Sequence, residues 1–410
     1  MKIYLVGGAV RDELLGCEVK EKDYVVVGAT VEDMLKKGFK QVGKDFPVFL
    51  HPKTGEEYAL ARKERKIKQG YTGFEFDASS DVTLEDDLKR RDLTINAMAK
   101  DLESQKLIDH WGGKKDIENK ILRHVSDAFI EDPVRILRVA RFYARFAYLG
   151  FKIADETMQL MQQMVKSGEV NALVPDRVWK ELQRALTEKN PEKFFEVLHD
   201  CNALPILFPG LEGSQRSSLR GALAQKQSID TLCAFVAIPA RNDNNEQAKR
   251  LPEIDSLSAL ISATKLSKDP EIRFAALFFD RSEKELDSFL KLYPIPTHYK
   301  ELTLLVIKFL PQYQSISTLS ANELLELLQK TDAFRREERF FKWFVTCYSL
   351  THNKESKETI NDAIGTSRLM KAYQAVKKID MRELANLNLS GSQIAEWLYQ
   401  KRLEIIKLHC

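Results

Sequence analysis

The stretch Leu5-Val6-Gly7-Gly8-Ala9-Val10-Arg11-Asp12, followed at a short distance by Glu21-Lys22-Asp23, decides how the chain is read. Ile3 to Val6 has the composition of a strand, and Ala9 to Leu15 the spacing of a helix closed by Gly16. Two glycines between a strand and a helix let a backbone approach a phosphate, at a helix end whose dipole favours anions. Gly8 is the candidate for that contact, and Arg11, one turn inside the helix, adds a charge. Glu21 and Asp23, two positions apart on a strand, point to one face and can share a hard divalent cation such as Mg²⁺. Each feature alone is commonplace, as a tight turn or a solvated strand edge. Their closeness in the chain makes them a candidate site.

Outward from this stretch, Tyr24 to Val27 predicts a second strand. Thr30 predicts a helix cap, with Asp33 three residues on and Gly38 past the helix end. Val48 to His51 and Glu56 to Ala61 flank Lys53-Thr54-Gly55 as a hairpin. Lys66 to Ser80, with Gly70 and Gly73, predicts a mobile loop. The basic run Arg62, Lys63, Arg65, Lys66 and Lys68 ahead of it is either a solvated face or a contact for RNA phosphates.

Two further constellations follow. Leu84-Glu85-Asp86-Asp87-Leu88-Lys89-Arg90-Arg91-Asp92-Leu93-Thr94-Ile95-Asn96-Ala97 offers Arg91 for triphosphate oxygens and Asp92 as an acceptor for a ribose hydroxyl. Glu131-Asp132-Pro133-Val134-Arg135 opens a helical run in which Arg135, Arg138, Arg141 and Arg145 fall within an arc of roughly 120° at about 100° per residue. The stripe also suits a solvated surface, and Asp132 before Pro133 also suits an N-cap.

Together these motifs resemble the signature of the tRNA nucleotidyltransferase and poly(A) polymerase family, in its bacterial class II branch. The resemblance is dense over residues 1–205 and thin beyond. Glu21 stands where that family usually has Asp, and Leu93 where Phe is usual. The resemblance implies an α+β fold: a small mixed-sheet head of the DNA polymerase β superfamily, then an all-α neck, body and tail. It divides the chain at 1–125, 126–205, 206–330 and 331–410.

The implied activity is template-independent addition and repair of the 3′-terminal CCA of tRNA from CTP and ATP, with Mg²⁺. Glu21 and Asp23 would be the catalytic metal ligands. Gly8, Arg11, Arg91, Asp92, Asp132, Arg135, Arg138 and Arg141 would bind the nucleotide, with Asp132 and Arg135 serving as a protein template for its base. Cytosine and adenine both place an exocyclic amine beside an unprotonated ring nitrogen, which an aspartate acceptor and an arginine donor match. Uracil and guanine present a carbonyl and a ring N–H there. Asp109, Gly113 and Asp116 resemble the family's D-x-x-x-G-x-x-D element, read as a hinge between head and neck. Val174-Pro175-Asp176-Arg177-Val178-Trp179-Lys180-Glu181 resembles its neck motif, and Gly391 to Leu398 its C-terminal pattern. Rival readings are a poly(A) polymerase, an enzyme adding only CC or only A, and an inactive tRNA-binding protein.

Helical spacing predicts helices over Pro133–Phe146, Asp155–Lys166, Asp176–Thr187 and Pro191–His199. Further helices are expected near Pro270–Phe279, Glu283–Leu292, Ala321–Leu328, Arg335–Leu350 and Gln393–Lys407. The polar stretch from Leu211 to about Lys268 predicts loops between short helices. Many relatives carry a metal-dependent HD phosphohydrolase in this body. Arg273 to Asp280 resembles that region, but Phe279 stands in place of its His, so no hydrolase is expected.

With 410 residues, the chain is too long for one compact core. It is 44% hydrophobic and 30% charged with a net charge of +3, so any basic surface must be local. No apolar run reaches the roughly 18 residues of a membrane span, and the N-terminus runs straight into a strand pattern. The five cysteines, Cys17, Cys201, Cys233, Cys347 and Cys410, have no metal-binding spacing and read as reduced thiols in a cytoplasmic protein, a monomer or a homodimer.

Overall fold

The computed structural model describes residues 1–42, 48–66, 74–211, 255–352, 360–380 and 390–409. The polar stretch over 212–254, the tip of the expected loop with Lys68, Gly70 and Gly73, Cys233 and Cys410 lie outside them. The chain divides into two compact units, Met1–Pro209 and Gly210–Cys410.

The first unit is built on a seven-stranded mixed sheet. Its elements begin with β1 (Lys2–Val6), α1 (Gly8–Leu14), β2 (Asp23–Val27), α2 (Val31–Lys36), β3 (Lys40–Val42), β4 (Val48–Leu50) and β5 (Glu57–Leu60). A ribbon of β6 (Lys63–Lys66) and β7 (Phe74–Asp77) follows, then α3 (Leu84–Lys89), β8 (Ala99–Asp101) and β9 (Leu107–Ile108). The sheet order is β3-β4-β5-β2-β1-β8-β9. Only β2 and β5 are parallel neighbours; the other pairs are antiparallel.

Strand alternation buries both sheet faces. Tyr4, Val6 and Val25 pack with Leu84 and Leu88 of α3, and with Ala97. Tyr24, Val26 and Tyr58 pack on the other side with Met34 of α2, Phe39 and Phe49. The expected cap at Thr30 is a full capping box with Asp33. The expected hairpin is the β4–β5 pair. Part of the expected mobile loop is ordered, because β7 pairs antiparallel with β6 from Lys66↔Phe74 to Lys63↔Asp77.

Beyond the sheet come α4 (Gly113–Asn119), β10 (Ile121–Leu122), α5 (Val134–Phe146), β11 (Lys152–Ile153), α6 (Asp155–Lys166), α7 (Pro175–Thr187), α8 (Glu192–Asp200) and α9 (Leu204–Leu207). The Asp109–Asp116 element read as a hinge is tightly packed. Asp109 accepts from the Gly113 and Lys114 N–H groups at 2.8 and 2.9 Å, and Asp116 accepts from the Thr94 hydroxyl at 2.7 Å. A Cβ on Gly113 would lie 2.3 Å from the Thr94 carbonyl oxygen, so only glycine admits this approach.

Helix α5 buries Ile136, Leu137, Val139, Ala140, Phe142, Ala144 and Phe146 against its neighbours. Each large apolar side chain so buried contributes about 1.5–3 kcal/mol. Arg135 and Arg141 are buried on the same helix, which apolar packing does not explain.

Among its described residues, the second unit is helical. Its core includes Leu302, Val306, Leu324, Leu328, Trp343, Phe344 and Tyr373. Helix Thr297–Gln314 was not anticipated, because Pro311 interrupts the reading of its pattern. Phe279 packs into this core, and Asp280 pairs with Arg281 at 3.3 Å. Cys201 and Cys347 are buried, and burial pushes the Cys201 thiol up to about 11. No described helix is long and apolar enough to cross a membrane.

Candidate active site

The register of β1 and β2 sets Val6 opposite Asp23, so the carboxylate stands beside the Gly7-Gly8 turn. Residues facing one another across a ladder share a sheet face, and Asp23 therefore shares the face of Val6 and Val25. That is the face covered by α3, which delivers Arg91 to the same place. Gly7 has φ +67°, and a Cβ there would meet Arg91 Nη1 at 2.8 Å. The positive φ is what calls for glycine, and its missing Cβ leaves room for the arginine tip.

Glu21 precedes β2 and, like Asp23, is exposed. Neither forms a hydrogen bond or ion pair with another described residue. Although Asp23 reaches solvent, protein crowds around it. This desolvation is the largest influence holding its carboxyl above the ordinary range; Glu21 adds to it and Arg91 opposes it. Two unpaired hard oxygen donors that repel one another suit a shared divalent cation. Among the described residues, no group of three or more His, Cys, Asp or Glu could hold a metal ion.

Arg91 donates Nη2 to Asp87 at 3.2 Å and Nη1 to the Asn96 carbonyl at 3.3 Å. Its buried Nε has no acceptor. Arg11 lies behind the turn, only 4% of its side chain exposed. It donates Nε to Asp12 at 2.9 Å and Nη1 to the Asn96 side-chain oxygen at 2.6 Å. Its guanidinium lies 5.2 Å from the ring centroids of both Phe142 and Phe146 on α5.

The Asn96 Nδ2 donates to Asp92 Oδ1 at 3.1 Å, the Leu93 N–H to the same oxygen at 2.8 Å, and Arg138 Nε to Oδ2 at 2.6 Å. Burial alone would raise this carboxyl; Arg138, Asn96 and the Leu93 N–H hold it well below the usual carboxylate range.

Asp132 both caps and pairs. Its Oδ1 accepts from the Val134 N–H at 3.2 Å, and Arg177 forks onto it, Nη1 to Oδ1 at 2.9 Å and Nη2 to Oδ2 at 2.7 Å. Arg135 donates to two carbonyls, Nη1 to Ala128 at 2.5 Å and Nη2 to Arg90 at 2.6 Å. Arg141 donates to Glu181 of α7 at 2.6 Å and is 8% exposed. Arg145 donates to Asp12 at 2.9 Å. The arginine stripe is thus largely turned onto protein acceptors.

The structure brings Gly8, Arg11, Asp23, Arg91, Asp92 and Arg138 into one connected cluster, with Arg135 joined through the Arg90 carbonyl and Asp132 through its own carbonyl, which accepts from the Arg135 N–H at 3.0 Å. Sequence reasoning missed Asp87, Asn96 and Arg177. Asp87 and Asn96 sat inside a quoted motif without a role, and Arg177 sat in a segment read as purely structural.

Residues 3–123 match the family model described as the poly A polymerase head domain, and residues 150–214 the model described as the probable RNA and SrmB-binding site of polymerase A. The CCA-adding enzyme of Coxiella burnetii (strain RSA 331 / Henzerling II) is 44% identical over 407 residues, covering 99% of this chain and 95% of that protein. The multifunctional CCA protein of Thioalkalivibrio sulfidiphilus (strain HL-EbGR7) is 45% identical over 430 residues, covering 99% and 98%. Among solved structures, the Thermotoga maritima CCA-adding enzyme complexed with tRNA aligns with TM-score 0.60 at 21% identity, covering 99% of this chain and 90% of that one. A CCA-adding enzyme with ATP aligns with TM-score 0.62 at 22% identity, covering 99% and 86%. At such identities these two speak for the fold alone. The full-length identity carries the assignment: the chain belongs to the CCA-adding enzyme family of nucleotidyltransferases.

Proposed function

We propose that this chain builds and repairs the 3′-terminal CCA of tRNA without a nucleic-acid template, from CTP and ATP, releasing pyrophosphate in an Mg²⁺-dependent reaction in the cytoplasm. The observation that carries this reading is the Val6–Asp23 register, which sets an unpaired carboxylate beside the Gly7 turn that Arg91 overhangs, in a chain of this family.

Glu21 and Asp23 are the residues that would hold the divalent cation. Bound there, it would supply activation of the tRNA 3′-hydroxyl and neutralisation of charge on the triphosphate. Arg91, a fifth exposed and overhanging the Gly7-Gly8 turn, meets triphosphate oxygens there with its charge. Arg11, behind that turn, contributes its positive charge. Asp92 Oδ2 accepts one described hydrogen bond, and a carboxylate oxygen has two acceptor positions, so a ribose 2′-hydroxyl can use the other.

Asp132 Oδ2 likewise accepts once in the described contacts, from Arg177, and can take the exocyclic amine of cytosine or adenine. Arg135, held at two corners by carbonyls, is the donor to the ring nitrogen. Arg138, about a third exposed, lies on the nucleotide side. Arg141 acts by tying α5 to α7.

The test is extension of tRNA lacking CCA with each NTP singly and in pairs, with and without Mg²⁺. CTP alone should add two residues, and CTP with ATP should complete CCA. Long tails from ATP alone would make the chain a poly(A) polymerase, and no metal-dependent incorporation would sink the proposal.

A further inference from the structure

Asp87 has no part in the chemistry above, yet among the described residues it is the most completely buried acid of the head, with 0% exposure. Its two oxygens hold two adjacent arginines. Oδ1 accepts from Arg90 Nε at 3.1 Å and Nη2 at 2.6 Å, and Oδ2 accepts from Arg91 Nη2 at 3.2 Å. The Arg62 backbone N–H, at the foot of the β6–β7 ribbon, also reaches Oδ1 at 3.4 Å. Arg90 in turn offers its carbonyl to Arg135 Nη2 at 2.6 Å. Against the desolvation of its burial, Arg90 and Arg91 hold the Asp87 carboxyl below the ordinary range.

We propose that Asp87 is a positioning residue of the nucleotide site: one buried carboxylate orients Arg91 toward the Gly7 turn and, through the Arg90 carbonyl, fixes the guanidinium of Arg135 that reads the base. The geometry has a reason. Residues Arg90 and Arg91 close the C-terminal turn of α3, where the Arg91 N–H donates to the Leu88 carbonyl at 3.2 Å. Two long cations there have many rotamers. A buried acceptor one turn earlier removes that freedom before the nucleotide arrives, as preorganisation requires. The distances also show why the anchor is double. Arg91 is fixed between Asp87 and the Asn96 carbonyl, so its guanidinium plane is set as well as its position.

The proposal rests on the nucleotidyl-transfer reading, and the experiment separates the two. Wild-type enzyme unable to extend tRNA lacking CCA would remove that reading and this one with it. With active wild type, Asp87→Asn keeps the shape but removes the charge. It should raise KM for both CTP and ATP, and the inhibition constant of inorganic pyrophosphate, by about tenfold or more. Binding of tRNA should be unchanged.

The decisive readout is a double-mutant cycle with Arg91→Ala. If Asp87 acts through Arg91, pyrophosphate inhibition in the double variant should match that of Arg91→Ala alone. Multiplicative losses, or an Asp87→Asn enzyme with wild-type KM values and pyrophosphate inhibition, would overturn the proposal. Should Asp87→Asn fail to fold, Arg91→Lys takes its place. Lysine keeps the charge but cannot span Asp87 and the Asn96 carbonyl as a planar fork. A tenfold weaker pyrophosphate inhibition is expected there, and an unchanged one would overturn the proposal.

Discussion

Two sets of carboxylates stand within the first unit and are treated in opposite ways. Glu21 and Asp23 face solvent at the sheet's end with no ion pair among the described residues, and Asp23 is held above its ordinary pKa. Asp12, Asp87, Asp92, Asp132 and Glu181 are each bound to arginine, and Asp87 and Asp92 are held below theirs. In the first set, desolvation and then Glu21 raise the Asp23 carboxyl, with Arg91 opposing them. The second set spends its charge on fixing cations in place. The same side-chain type is thus left without an ion pair in one set and held by arginine in the other.

The sharpest way to break this contrast is at Asp23. Asp23→Ala should cut transfer by about a thousandfold or more, since the metal's share of transition-state stabilisation is several kcal/mol. The melting temperature should hold, and Glu21→Asp should remain active. Steady-state incorporation of labelled CTP beside a melting curve checks both; near-normal activity in Asp23→Ala would erase the distinction between the two sets.

At Asp92 the cost should fall on stability instead. Removing one partner of a buried pair leaves Arg138 and the Asn96 amide unmatched, and Asp92→Ala should lose about 3 kcal/mol in urea unfolding. A loss below about 0.5 kcal/mol would place Asp92 with the dispensable surface acids.

Asp132 lies between the extremes, being both cap and ion-pair partner. Asn caps a helix about as well as Asp, so Asp132→Asn should lose only the part-exposed ion pair with Arg177, about 1 kcal/mol. Its amide offers a donor where the carboxylate had only acceptors. Misincorporation of UTP or GTP should rise about tenfold, within the 1–3 kcal/mol of one base-edge contact pair. Unchanged selectivity would leave Asp132 as a cap and an ion-pair partner of Arg177 with no part in reading the base.

The smallest effect is one of sign. With its folded pKa raised, Asp23 binds more protons in the native state than in the unfolded one between the two values, so it subtracts stability as pH rises through that window. Asp92, with its folded pKa lowered, adds stability above the ordinary carboxylate pKa and loses it as pH falls. Asp23→Asn should therefore melt slightly higher than wild type at neutral pH, and Asp92→Asn lower. Added Mg²⁺ should raise the wild-type melting temperature and leave Asp23→Asn unmoved. The reverse order of melting temperatures would refute the assignment.

Local features of this site were legible in the sequence. The Gly7-Gly8 turn, the Glu21/Asp23 pair and the Thr30 cap depend on residues a few positions apart, where turn chemistry and alternation suffice. What escaped was pairing at a distance. Arg177 lies 45 residues from Asp132, and nothing in Val174-Pro175-Asp176-Arg177 says which acid it will meet. Asn96 lies 85 residues from Arg11. The strand Phe74–Asp77 read as part of a loop because Gly70 and Gly73 dominate the local signal, while it is stabilised by pairing with Lys63–Lys66. Periodicity left the α5 arginines open between a nucleotide-binding stripe and a solvated surface, because it reports a face, not what covers it; Arg135 and Arg141 are buried.

Asn96 carries a last consequence. Its oxygen faces Arg11, which can only donate, and its nitrogen faces the ionised Asp92, which can only accept. The amide is a polarised connector that fits one way round. Rotated end for end, it would set like against like on both sides. Neither leucine, with no dipole, nor aspartate, with acceptors at both ends, could transmit the match. Hydrolytic loss of that single nitrogen, the ageing reaction of asparagine, would turn the link into a carboxylate facing a carboxylate and uncouple the glycine turn from α5 without altering the shape of one side chain.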